Sequence, residues 1–139
     1  MHDDYLQNVS VQSIAYVLAV LTWNGLTALL AGHSTFWGAV LVGSIHMAIL
    51  ALPFWLVDVL LLRPMLRFTN SPKLCAAELA VLFLNWSVVH APGLVNSPRD
   101  PKIWRDIITT SLALGVIYVA ISCILNLGLK GNASTSRTA

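Results

Sequence analysis

Residues 51–79, ALPFWLVDVLLLRPMLRFTNSPKLCAAEL, run from one apolar segment through a basic loop into a second apolar segment. The loop contains prolines and polar residues, which are typical of a boundary between helices. One acid lies on each side of it, Asp58 before and Glu78 after. Each apolar segment extends to about 20 residues, the length an α-helix needs to cross a hydrocarbon core about 30 Å thick. The stretch therefore predicts a helical hairpin in a membrane.

Outside this hairpin the chain has two more segments of the same kind. Short links between consecutive helices make them antiparallel neighbours. The sequence therefore predicts an all-α polytopic membrane protein, a four-helix up-down-up-down transmembrane bundle that forms one domain over residues 1–139. The predicted spans are about residues 14–32, 39–62, 75–94 and 107–129, followed by a polar tail over residues 130–139.

The composition agrees with a membrane environment. Of 139 residues, 57% are hydrophobic and only 10% are charged, whereas a soluble domain has about 25% charged residues. The formal net charge is +2 and the basic residues flank the apolar segments, so nothing indicates nucleic-acid binding. We expect the lipid bilayer to be the first partner of this chain. Cys75 and Cys123 fall in or beside apolar segments and are expected to act as small buried residues.

The distribution of Lys and Arg predicts the orientation, because cytoplasmic loops are enriched in both. Five of them lie on the side that the two termini share, and three lie on the other side. We therefore expect both termini in the cytosol. Attachment of a glycan at Asn132, which begins one of three N-x-S triplets, would contradict this orientation. The five are Arg63, Arg67, Lys73, Lys130 and Arg137, and the three are Arg99, Lys102 and Arg105.

Asp58 and Glu78 are the candidate functional residues, since ionisable side chains within spans are costly and usually functional. Each acid is five residues from a basic residue at its helix end, Arg63 for Asp58 and Lys73 for Glu78. One hypothesis is that these cations or Arg67 pair with the acids and hold the hairpin at the interface. In that case the acids are structural.

A second hypothesis joins the two acids in a buried polar network. Asn85 follows Glu78 by seven residues, which places both within about 20° on one helix face. Asp58, Glu78 and Asn85 would then face one another, and two adjacent carboxyl groups would hold a proton between them. The sequence leaves open whether the acids pair with each other or with Arg63, Arg67 and Lys73.

His46 and His90 are candidate metal or haem ligands, although no ligand motif accompanies them. His46 precedes Asp58 by twelve residues and His90 follows Glu78 by twelve. Twelve residues leave a rotation of about 120° in an ideal helix. The histidines and the acids therefore cannot both meet across the hairpin, and we expect no metal and no cofactor.

Other features predict how the helices pack. Pro53 lies inside the second span and should free a backbone carbonyl that neighbouring groups then satisfy. Small residues four apart, Ala39 with Gly43 and Ser111 with Gly115, indicate close approach of helices. Pro92 and Gly93 should loosen the end of the third span.

Three functions remain open from the sequence. The first is a non-catalytic subunit or assembly factor that binds other membrane subunits, or its own copies, through its helices. The second is a proton- or ion-coupled transporter or channel that acts as an oligomer. The third is a membrane enzyme that uses Asp58 and Glu78 as acid and base on a lipid-soluble substrate. No phosphate-binding loop, nucleophile elbow or zinc motif occurs in the sequence. A protein that forms membrane lesions as an oligomer also stays possible, because that activity needs no signature residue.

Overall fold

The computed structural model describes residues 2–32, 35–65 and 72–135, with side chains over 7–32, 35–65 and 72–128. The described part of the chain is helical, with no strand in it. Its elements are α1 (His2–Ala31), α2 (Phe36–Val57), a π-helical turn (Asp58–Leu62), α3 (Arg63–Met65), α4 (Pro72–Val89), α5 (Ala91–Asn96) and α6 (Pro101–Thr135). Arg67 and Arg137, two of the predicted basic flanks, lie outside these ranges.

Within the described residues, four helical stretches are long and apolar enough to cross a membrane: Gln7–Ala31, Phe36–Met65, Pro72–Val89 and Pro101–Gly128. Helix α1 packs against α2 and α6, and α4 packs against α2 and α6. The helices thus form a ring in the order α1, α2, α4, α6 in which chain neighbours are antiparallel. The predicted all-α, four-helix transmembrane bundle is confirmed.

The ends of the spans differ from the predicted ones because prolines and a cap decide them. The third span ends at Val89, since Pro92 cannot continue a regular helix and the backbone turns at His90. The fourth begins at Pro101, six residues earlier than predicted. Pro101 suits the first position of a helix, and the Asp100 carboxylate caps the new helix by accepting a hydrogen bond of 2.8 Å from the Lys102 N–H.

The core lies where the four long helices meet. Large apolar side chains also cover the outside of the bundle, as lipid contact requires; Leu30, Val88 and Leu127 are 78%, 72% and 69% exposed. The core members are Ala15, Tyr16, Ala19, Val20, Ala51, Phe54, Leu82, Trp86, Ile107, Leu114 and Tyr118.

Two glycines allow neighbouring helices to approach closely, as their small-residue patterns predict. A side chain at Gly43 of α2 would place its Cβ 2.7 Å from the Asn24 Oδ1 of α1. A side chain at Gly115 of α6 would collide with Leu79 of α4. Both contacts are between helices of the same bundle, so these small residues serve internal packing.

Helix α2 continues through Pro53, which has no N–H to bond the Ile49 carbonyl. Side chains from two other helices reach the carbonyls on either side of Ile49. The Tyr16 hydroxyl donates to the Ala48 carbonyl at 2.5 Å, and the Asn85 amide donates to the Leu50 carbonyl at 3.1 Å. Neighbouring helices therefore donate to the carbonyls next to the one that Pro53 leaves without its N–H.

Candidate functional site

Four polar side chains from three sides of the bundle meet near the end of α2. Asp58 comes from the π-helical turn, Arg63 from α3, Glu78 from α4 and Tyr118 from α6. We call these four residues the Arg63 cluster. Asp58 is 0% exposed and each of the other three is 1% exposed, so the cluster is inside the protein.

Arg63 lies between the two acids. Its Nε donates to Asp58 Oδ2 at 2.9 Å, and its Nη2 donates to Glu78 Oε1 at 2.5 Å. A guanidinium suits this position because its donors point in several fixed directions. Of the two other cations considered from the sequence, Lys73 is exposed at the start of α4 and Arg67 lies outside the described residues. The acids are thus ion-paired, but within the bundle and not at its rim.

Tyr118 completes the cluster from the opposite helix. Its hydroxyl donates to Asp58 Oδ2, and its ring lies 5.8 Å from Arg63 Cζ, close enough for a cation–π interaction. The edge-to-face contact with Phe54, at 5.4 Å between ring centroids, holds the ring in place. One aromatic side chain therefore contacts both the acid and its cation.

The π-helical turn brings Asp58 and Arg63 together. In a regular α-helix, residues five apart differ by about 140° around the axis and face different directions. Here the Arg63 N–H bonds the Asp58 carbonyl, five residues back, and this wider turn places Arg63 above Asp58. Pro64 provides a sequence reason, because it offers no N–H to the Leu60 carbonyl and its ring would clash with that carbonyl in a regular helix.

The charges of the cluster do not balance. Two carboxylates face one guanidinium, and among the described residues no other cation forms an ion pair with either acid. Two buried atoms, Asp58 Oδ1 and Arg63 Nη1, also have no hydrogen-bond partner. Buried charges and unpaired polar atoms are costly. The arrangement can therefore bind a small neutralising species such as a proton.

The structure places the other predicted site residues elsewhere. Asn85 bonds the Leu50 carbonyl and not the acids. His46 is exposed on the outside of α2. His90 follows α4, with its Nδ1 3.0 Å from the Trp86 carbonyl. No group of three or more His, Cys, Asp or Glu side chains that could hold a metal occurs in the described part of the chain.

Two parts of the polar interior escaped the sequence interpretation. Tyr118 is one, and the other is a buried hydrogen bond of 2.9 Å from Ser122 Oγ of α6 to Gln12 Oε1 of α1. The available signal was a stripe on the fourth span, where Ser111, Gly115, Tyr118 and Ser122 recur at intervals of three or four residues. Such spacing puts polar and small side chains on one helix face.

Replacing Tyr118 with Phe tests the contribution of its hydroxyl. We expect the free energy of unfolding in detergent to fall by about 1.5–3 kcal/mol, the range for hydrogen bonds to charged groups. The matched control is Tyr16→Phe, which removes a hydrogen bond to a neutral carbonyl and should cost about 1 kcal/mol. Equal losses in the two variants would mean that Tyr118 does not stabilise a charged Asp58.

Known proteins provide no further guidance to this site. No protein family, curated protein or solved structure matches the chain. Any proposal of function therefore depends on the geometry of the Arg63 cluster and of the helix faces around it.

Proposed function

We propose that the protein is a non-catalytic subunit or assembly factor of a membrane complex, and that a helix of its partner packs on the outward face of α2 around His46. The observation behind this proposal is the position of His46. Its side chain is exposed, and it lies ten residues after Phe36, about 15 Å from the start of the span. That depth is within the hydrocarbon core.

An ionisable side chain at this depth almost always faces the bundle interior, a water-filled cavity or a polar partner. His46 instead lies among apolar side chains that point outward, Val42, Ile45 and Ile49, which are 68%, 55% and 66% exposed. Lipid tails offer imidazole no hydrogen bond, whereas a helix of a neighbouring protein can offer one. A partner helix on this face removes the cost of exposing His46 to lipid.

The Arg63 cluster agrees with a non-catalytic role. A general acid must come within hydrogen-bond reach of its substrate, but Asp58 and Glu78 are 0% and 1% exposed and engaged with Arg63. The same burial means that, in a single copy of the protein, Asp58 and Glu78 do not line a path open to water. The transport hypothesis therefore gains no support from them. Through their ion pairs with Arg63, the two acids connect α2 and α3 to α4. Their role in this proposal is to hold these helices together.

The partner can be a different membrane protein or a second copy of this chain, and photo-crosslinking distinguishes the two. A benzophenone-bearing residue placed at Ile49 in the native membrane should give one defined protein adduct. The same residue at Val116, which is 62% exposed on α6, is the control and should react with lipid. Adduct formation with lipid alone at both positions would refute the proposal.

The variant His46→Leu tests whether the crosslinked partner recognises the imidazole of His46. Losing one interhelical hydrogen bond should weaken the association about three- to twentyfold, and the Ile49 adduct should decrease accordingly. Because His46 is exposed, the bundle itself should unfold as before. An unchanged adduct would contradict recognition of His46 by the partner.

We also propose that both termini face the cytosol. The excess of Lys and Arg on their side of the bundle supports this orientation. Lys73, exposed where α4 begins, is placed as an interfacial anchor would be. A glycan on Asn132, or protection of a cysteine introduced into the tail over residues 130–139 from a cytosolic thiol reagent, would contradict it.

A further inference from the structure

The Arg63 cluster contains two buried acids but one cation. Arg63 is the one cation paired with the two acids in the described residues. If both carboxyl groups were ionised, one negative charge would remain buried within the transmembrane bundle without compensation. The titratable groups that surround Glu78 are Asp58 of the π-helical turn, Arg63 of α3, Tyr118 of α6 and, on α4 itself, Cys75.

A second observation points to the species that neutralises this charge. Asp58 Oδ1 is buried and has no hydrogen-bond partner, and Glu78 lies beside Asp58 because both acids accept hydrogen bonds from the same Arg63 guanidinium. Two ionised carboxylates have no proton to share. A proton on one of them would remove the excess charge and provide a donor between the two acids.

We propose that the Arg63 cluster is a binding site for a single proton, carried by Glu78 and donated to Asp58. The two acids differ in their donors. Asp58 Oδ2 accepts hydrogen bonds from both Arg63 and Tyr118, whereas Glu78 accepts one from Arg63. Hydrogen bonds to a carboxylate stabilise its charged form. Asp58 therefore keeps the charge that pairs with Arg63, and Glu78 holds the proton.

The bound proton couples the bundle to pH. When Glu78 is ionised in the unfolded chain but protonated in the folded protein, folding takes up one proton. Stability then falls as pH rises, because the folded state binds more protons than the unfolded state. A difference of one proton changes the unfolding equilibrium constant by about tenfold per pH unit. Loss of the proton leaves Glu78 and Asp58 both charged. Repulsion between them then weakens the packing of α4 against α2.

Glu78 is the only glutamate of the chain, so a 13C-labelled glutamate carboxyl group reports on this site alone. In lipid nanodiscs at neutral pH, infrared spectra should contain the carbonyl band of a protonated carboxylic acid that moves on labelling. The band should vanish in Glu78→Gln and persist in Asp106→Asn, which alters an exposed acid. A labelled carboxylate signal alone at neutral pH would overturn the proposal.

The pH dependence of unfolding gives an independent readout. Between neutral and alkaline pH, we expect the unfolding constant of the unmodified protein to rise by up to tenfold per pH unit. Glu78→Gln preserves the shape of the protonated acid and should lose that dependence while remaining folded. The same pH profile in both proteins would contradict a proton on Glu78. Neither readout requires a partner, so the proposal can fail or hold independently of crosslinking at Ile49.

Discussion

Replacing Arg63 with Ala is expected to lower the free energy of unfolding by about 3–5 kcal/mol, the range for breaking a buried ion pair. Arg63 is 1% exposed and donates to Asp58 and Glu78 at 2.9 and 2.5 Å. Without it, both acids lose their cation and Tyr118 loses the guanidinium beside its ring. Thermal or denaturant unfolding in detergent, followed by helical circular dichroism, measures the loss.

Two variants control for this result. Arg105 has a side chain that is 74% exposed, so Arg105→Ala should change stability by less than about 0.5 kcal/mol. Arg63→Lys keeps the charge but loses the fixed fork of donors, and its loss should be intermediate. If Arg63→Ala were as stable as Arg105→Ala, the cluster would not hold the helices together.

Replacing all three ionisable side chains at once separates the effect of ion pairing from the effect of burial. The triple variant Asp58→Asn, Arg63→Met, Glu78→Gln should be more stable than Arg63→Ala alone, because it leaves no uncompensated buried charge. A triple variant no more stable than Arg63→Ala would mean that the loss in Arg63→Ala does not come from acids left buried without their cation.

Replacing Gly115 with Leu is expected to cost about 3 kcal/mol, at the upper end of the usual range for overpacking. Even a methyl group at this position would collide with Leu79 and lie 3.2 Å from the Leu82 Cδ1. The larger side chain should push α6 away from α4, and Tyr118, one turn further along α6, should move away from Asp58. Unfolding in detergent measures the stability, and the same infrared bands report on the cluster.

The matched control for Gly115 is Gly25→Leu, since a side chain at Gly25 of α1 would meet no atom within 4 Å. We expect that variant to be at least as stable as the unmodified protein, because glycine is a poor helix former. Adding Leu79→Ala to Gly115→Leu should recover part of the lost stability by making room. Equal losses at Gly25 and Gly115 would contradict the close approach of α4 and α6.

The four transmembrane helices could be predicted from the sequence because each depends only on the residues within its own segment. About 20 apolar residues in a row, interrupted by Pro, Asn and Ser, must form a helix if they lie in lipid, since no other partner is available for their backbone groups. Short links then make neighbours antiparallel. The same reasoning missed the start at Pro101, because the Asp100 cap makes a polar stretch helical beyond its apolar part.

The Arg63 cluster could be predicted only in part. Acids are rare in spans, which singles out Asp58 and Glu78, and Arg63 at the end of the same helix is a candidate partner of Asp58. Helical spacing alone argues against that pair, since five residues leave them about 140° apart. The heptad spacing of Glu78 and Asn85 suggested a shared network, yet the Asn85 amide reaches the Leu50 carbonyl next to Pro53.

By itself, the sequence determined that this chain is a four-helix membrane protein and which acids lie inside it, because hydrophobicity and charge depend on residue type alone. The tertiary structure decided that Arg63 would serve both acids, that Tyr118 would join them and that His46 would point outward. These outcomes depend on the π-helical turn before Arg63 and on the rotation of each helix about its axis. The turn has a local cause in Pro64, but the rotation of each helix follows from packing between segments distant in the chain, which no local pattern encodes.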